Sequence, residues 1–253
     1  MTDEPTNGSE GNGADATDLV VSPRRAALRA HRGEIVFAAS LVIYAALALL
    51  AHYNAYFGWD LRVALAIQSI SATAFRTLMI WVSVLGNGWV PTVLVAAISL
   101  GLILARLRIE GLICMVGVAS GAGVNRMFKA LVDRPRPSEP LVQVVYDVAH
   151  ESFPSGHVVF FIEFFGWLLF VSYVLLKAGV LRRITIGLLG TLIAIIGVSR
   201  VYLGAHWPSD VLGAYLAGGI WLMLMIEIYR RLKDRQQKLS GGGQTLNADP
   251  STL

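Results

Sequence analysis

The chain has 253 residues, 55% of them hydrophobic and 15% charged, with a mean hydropathy of +0.60. That balance is too apolar for an ordinary soluble domain and marks an integral membrane protein. The net charge of +4 is carried in short basic blocks between apolar runs. This is a topology signal rather than a nucleic-acid footprint. Cys114 stands alone in an apolar run, which excludes an intrachain disulfide and a cysteine-based metal site.

Residues 1–33 are rich in Gly, Asp, Asn, Ser and Thr and read as a disordered cytoplasmic tail. Arg24, Arg25, Arg29 and Arg32 precede the apolar run Ile35–Ala51. No small-residue cleavage site follows that run, so it is expected to be a retained first span rather than a signal peptide. Residues 58–88 mix Asp60, Arg62 and Arg76 with apolar positions and predict interfacial helices. Five further runs follow: Val90–Ala105, with Pro91 in its first turn, then Ile109–Val132, Val158–Leu176, Ile184–Leu203 and Val211–Tyr229. Each approaches the roughly 20 residues that cross a bilayer. The expected fold is therefore all-α, a polytopic bundle of six transmembrane helices over residues 34–232 with additional interfacial helices. Residues 233–253, with three consecutive glycines, read as a disordered tail. Gly117 and Gly121 have the spacing of close helix packing within the bundle.

With six spans, the basic clusters at Arg24–Arg32, Arg106 and Arg108, Lys177–Arg183 and Arg230–Lys238 fall on one side. The positive-inside rule makes that side, and both termini, cytoplasmic. The remaining polar segments gather on the other face. Lys129, Arg134 and Arg136 in KALVDRPRP lie where this rule disfavours them, and a phosphate is the simplest partner for them. Pro154-Ser155-Gly156-His157 opens a span, where free N–H groups and the helix dipole favour an anion, although a turn and cap would look the same. Arg200, His206 and Asp210 close the fifth run and open the sixth; a phosphate fork, a nucleophile and a tautomer-fixing carboxylate fit them, as do interfacial anchors. Pro208 predicts that His206 precedes the last helix and that Asp210 lies in its first turn, where it could also cap.

These three blocks resemble the signature of the type 2 phosphatidic acid phosphatase (PAP2) superfamily. Lys129 and Arg136-Pro137 match its first block, Pro154–His157 its second, and Ser199-Arg200, His206 and Asp210 its third, in order and spacing. The resemblance implies that His206 is a nucleophile forming a phosphohistidine, that Asp210 orients it, and that His157 is the proton donor. It implies that Lys129, Arg136, Arg200, Ser155 and Gly156 hold the phosphate, with no metal and no cofactor. The expected reaction is hydrolysis of a lipid phosphate or pyrophosphate, of the undecaprenyl diphosphate, phosphatidate or phosphatidylglycerol phosphate class. The expected setting is the extracytoplasmic face of a bacterial inner membrane, among membrane lipids, with no nucleic acid and no obligate protein partner. Two rivals are a phosphotransferase with the same nucleophile and a non-catalytic lipid-phosphate binder or transporter.

Other polar residues are read more plainly. Glu163 is expected to face the bundle or a wet cavity, and Asn125, one turn before Lys129, to orient that lysine or bond between helices. Arg134, Asp133 and His150 receive no chemistry, and His31 and His52 are read as bystanders. The bulky run VVFFIEFF after His157, where the family commonly has small residues, is expected to narrow or tune the cavity.

Overall fold

The computed structural model describes residues 23–145 and 151–245, with side chains described for 31–145 and 151–239. The described residues form eight helices: α1 (Pro23–Tyr53), α2 (Gly58–Gln68), α3 (Thr73–Val84), α4 (Val90–Leu104), α5 (Arg108–Val132), α6 (Gly156–Leu175), α7 (Val180–Tyr202) and α8 (Pro208–Thr245). No strand occurs among them. The start of α1, up to Ala38, forms a unit separate from Ala39–Leu253. Helix α1 begins at Pro23 and α8 runs to Thr245, so both extend into stretches read from the sequence as disordered tails.

Five helical stretches are long and apolar enough to cross a membrane: His31–Tyr53, α5, α6, α7 and Pro208–Leu239 of α8. The fold is that of a multi-pass membrane protein. The expected second span is a 15-residue helix, α4, shorter than a full crossing needs. Residues expected to form interfacial helices form α2 and α3, bent by 119° at a short break and together able to supply a sixth span.

Helix α6 is the centre of the bundle. It is apolar around its whole circumference, and Val158, Phe161, Phe164 and Trp167 are buried on different faces because α5, α7 and α8 all pack on it. Phe160, Phe161, Phe164 and Phe165 touch one another edge-on and stacked, so the bulky run after His157 fills the core beside α6. Small residues let neighbours approach: a Cβ on Gly117 would strike Met225, and one on Gly121 would strike the Glu163 carboxyl. At the cytoplasmic end of the expected topology, buried Glu110 accepts from Tyr229 and pairs with Lys233 at 2.8 Å, which ties α5 to α8.

Candidate active site

The three sequence blocks lie at helix ends that share one end of the bundle: the last turn of α5, the first of α6, the last of α7 and the first of α8. Asp133 ends α5 in the left-handed region at φ 47°. The chain that follows carries Arg134 and Arg136 back over the bundle. Helix α6 opens at Gly156, directly after Ser155, and α8 opens at Pro208, with Asp210 in its first turn and His206 on the irregular stretch before it.

A cavity of about 1230 Å³ receives Lys129, Arg136, Gly156, His157, Arg200 and His206. Lys129 donates to the carbonyls of Glu151 and Ser152. Arg136 donates to those of Ala205, at 2.6 Å, and Glu151. Arg200 donates to the Ser83 hydroxyl on α3. These carbonyl and hydroxyl acceptors are uncharged and hold the three cations in place at one end of the cavity.

His206 is buried, with its Nε2 3.2 Å from Arg136 Nη1. A guanidinium only donates, so Nε2 is the lone-pair nitrogen and Nδ1 carries the proton. Nδ1 lies 3.4 Å from Ser152 Oγ and 3.7 Å from Asp210 Oδ2. The Ser152 hydroxyl in turn donates to that same Oδ2. Asp210 thus reaches His206 both across a short gap and through Ser152. Its Oδ2 also accepts the Trp207 N–H at 2.8 Å, so it caps α8 as well. Burial, and then the cations of Arg136, Lys129 and Arg200, hold His206 well below the usual imidazole range.

His157 Nε2 lies 2.7 Å from Asn87 Oδ1, in the loop between α3 and α4. An amide oxygen only accepts, so this nitrogen carries a proton. Gly86 is required beside it, because a Cβ there would stand 2.4 Å from the imidazole Cδ2. Ser155 is buried with its Oγ unpartnered among the described residues, and a Cβ on Gly156 would meet Asn125 Nδ2 at 3.3 Å. The arrangement offers a neutral imidazole lone pair, an imidazole N–H and a cluster of cations in one cavity. These are the parts that phosphoryl transfer through a covalent intermediate uses.

The PAP2 superfamily profile matches residues 110–234, a stretch that includes all three blocks. This chain belongs to the PAP2 superfamily. Among PAP2 relatives, the phosphatidylglycerophosphatase B of Bacillus subtilis (strain 168) is 27% identical over 200 residues, covering 76% of this chain and 94% of that protein. A candidate undecaprenyl-diphosphatase of Escherichia coli (strain K12) is 35% identical over 109 residues, 40% of this chain and 50% of that one. The crystal structure of a transmembrane PAP2 type phosphatidylglycerolphosphate phosphatase from Bacillus subtilis shares the fold. It aligns with a TM-score of 0.66 at 23% identity, over 77% of this chain and 96% of that one. With its PAP2 family, this chain is a multi-pass membrane phosphatase.

Several residues outside the PAP2 signature also serve this site. Arg134 is buried outside the cavity and donates to Asp210 Oδ1, Ser209 Oγ, Asp60 Oδ2 and the Asn54 carbonyl, with Phe57 beneath its guanidinium at 5.0 Å. Asp60, in the first turn of α2, accepts from the Ser209 N–H and hydroxyl. Ser83, Asn87 and Ser152 complete the set. The one available signal was the basic Arg134 within the first block; the others are ordinary loop or helix polars until the chain folds. Glu163 lines the cavity, and so does Asn125, whose Oδ1 is buried and unpartnered among the described residues. His52 bonds the Val132 carbonyl and His31 lies 3.8 Å from Glu34, whereas His150 falls outside the described residues.

Proposed function

We propose that this protein hydrolyses lipid phosphates or pyrophosphates by transferring the phosphoryl group first to His206 and then to water. The observation that carries the reading is that His206, with its Nε2 lone pair, shares one cavity with His157, Lys129, Arg136 and Arg200.

In the first step Nε2 of His206 attacks phosphorus, and the bond from phosphorus to the leaving oxygen breaks. That oxygen takes the proton from Nε2 of His157, which enters this step as the imidazolium, a form favoured once the anionic phosphate is bound, and leaves it as the neutral imidazole. Asp210, directly and through Ser152, stabilises the imidazolium character that develops as Nδ1 keeps its proton. In the second step His157 takes a proton from water, whose oxygen attacks the phosphohistidine. Inorganic phosphate leaves and His206 is neutral again. Lys129, Arg136 and Arg200, with Ser155 and the Gly156 N–H, stabilise charge on the equatorial oxygens electrostatically. No metal enters these steps.

A lipid substrate is favoured by the rest of the cavity, which runs from the cations between α4, α5 and α6 past Val95, Val118 and Phe160. The named relatives act on phosphatidylglycerophosphate and are assigned to undecaprenyl diphosphate, and we infer a substrate of that class. The basic residues Arg106, Arg108, Arg182 and Arg183 lie at helix ends remote in sequence from the site. With the positive-inside rule these support our reading that the site faces the extracytoplasmic side and that both termini are cytoplasmic; we infer an inner-membrane setting and residues 34–232 as the working domain.

Phosphate release by the full chain in detergent micelles, from a panel of lipid mono- and diphosphates with chelator present, tests this reading. Release should survive the chelator and vanish in His206→Ala. A phosphohistidine trapped by rapid acid-free quench and located by mass spectrometry should map to His206. Release that persists in His206→Ala would refute the assignment.

A further inference from the structure

Arg126 lies three residues before Lys129 on α5 and lines the same cavity. At helical rise this is one step of about 4.5 Å along the axis, away from the cation cluster. Further along α5 the cavity wall continues through Ala122 and Val118, so Arg126 stands between the phosphate-binding end and the apolar part. Lys129 and Arg136 are tied to backbone carbonyls. Arg126, by contrast, is an exposed residue of the cavity lining, and among the described residues it has no hydrogen-bond or ion-pair partner. Glu163, the carboxyl of the deeper cavity, abuts Gly121, five residues further along α5, and makes no ion pair with it. A cation inside a membrane-spanning helix is costly unless it meets an anion or water. The cavity that Arg126 lines can admit a ligand that supplies the anion.

We propose that Arg126 binds a second phosphoryl group of the substrate, on the lipid side of the phosphate that is attacked. The enzyme therefore prefers lipids with two phosphoryl groups to lipid monophosphates. The inference rests on the phosphatase reading above and adds to it the class of headgroup. A lipid diphosphate supplies the second anion directly, and a lipid with a terminal phosphate and an internal phosphodiester supplies it across a short spacer. In both cases the attacked phosphate sits among Lys129, Arg136 and Arg200, while the tail leaves past Ala122 and Val118. The second anion must then pass Arg126.

The test is kcat/KM of the full chain in micelles for a prenyl monophosphate, a prenyl diphosphate and phosphatidylglycerol phosphate, with Arg126→Gln, Arg126→Lys and His206→Ala. The wild type should favour at least one two-phosphoryl lipid by about tenfold or more, the size of one charge-assisted contact. Arg126→Gln should lower the ratio of two-phosphoryl to monophosphate kcat/KM by about tenfold, mainly through KM, and Arg126→Lys should restore most of it. Which of the two lipids responds identifies the spacing of the second group. Equal losses on all three substrates would assign Arg126 to anchoring at bilayer headgroups and overturn the inference, and so would a wild type without preference. Both of these leave the phosphatase reading standing. No His206-dependent release from any substrate would remove both. If Arg126→Gln does not fold, the wild-type preference and the Arg126→Lys profile still decide the matter.

Discussion

Arg134 and Asp210 form a fully buried ion pair just behind His206, the proposed nucleophile, the guanidinium holding Oδ1 while Oδ2 is left to Ser152, Trp207 and His206. The same guanidinium holds Asp60 at 3.1 Å. The first turns of α2 and α8, each with an aspartate, thus meet across one arginine, and the carboxylate that faces His206 is fixed in rotation.

Removal of that arginine leaves two carboxylates buried without a cation. Arg134→Ala is expected to destabilise the protein by about 3–5 kcal/mol, the cost of breaking a buried pair from one side. Thermal unfolding in detergent reads this as a lowered Tm. Arg134→Lys should recover only part, because an ammonium lacks the planar fork that reaches Asp60, Ser209 and Asp210 together. A Tm unchanged in Arg134→Ala would show that the pair is not a structural clamp.

Asp210→Asn retains the shape and removes the charge behind His206. The amide can turn its NH2 toward Nδ1, which favours the wrong tautomer of the nucleophile. We expect kcat to fall by about 100-fold or more with KM little changed. Ser152→Ala, which leaves the 3.7 Å approach of Asp210 to Nδ1, should fall by less. Equal losses in the two variants would mean that Asp210 acts through Ser152 alone.

If His206 is the nucleophile, as proposed, the acid limb of kcat/KM reports its titration in the free enzyme. Because burial and three cations depress the His206 pKa, that limb should lie below the ordinary imidazole value of about 6.5. Arg136→Gln removes the largest of the charge effects and should move the limb upward, a shift separable from its loss of rate. The sign for stability follows. The unfolded chain protonates this imidazole at a higher pH than the folded one, so the unfolded state binds more protons between the two pKa values. Stability is then lost as pH falls below about 6.5 and continues to fall until the depressed folded value is passed. An acid limb at or above 6.5 in the wild type would contradict the depressed value.

Gly86→Ala places a methyl 2.4 Å from the His157 ring. The ring must leave Asn87, so the proposed proton donor is misplaced while the cation cluster stays. Activity should drop by about 100-fold, within the range of general acid–base catalysis, and chiefly in kcat. Substrates with a good leaving group such as p-nitrophenyl phosphate need less protonation and should lose less. Equal losses on both substrate types would argue against a proton-donating role for His157.

The sequence by itself determined the membrane character, the long helices and the three blocks at their ends, because each is a local pattern: hydropathy over a window, or residues a fixed few positions apart. Pro208 even placed His206 before α8 and Asp210 within its first turn. The run Val90–Ala105 was legible as an apolar helix, and the structure forms it as the 15-residue α4. The residues that hold the proposed catalytic ones were not legible. Asp60 and Arg134 are 74 positions apart, Arg134 and Asp210 76, and Asn87 and His157 70. Such contacts arise when helix ends converge, and nothing in local spacing encodes them. The tertiary structure alone decided that Asp210 is clamped by Arg134 and that Asn87 faces His157. It alone also put Arg126 in the cavity rather than at a helix surface, because a side chain's partners are set by which helices pack together.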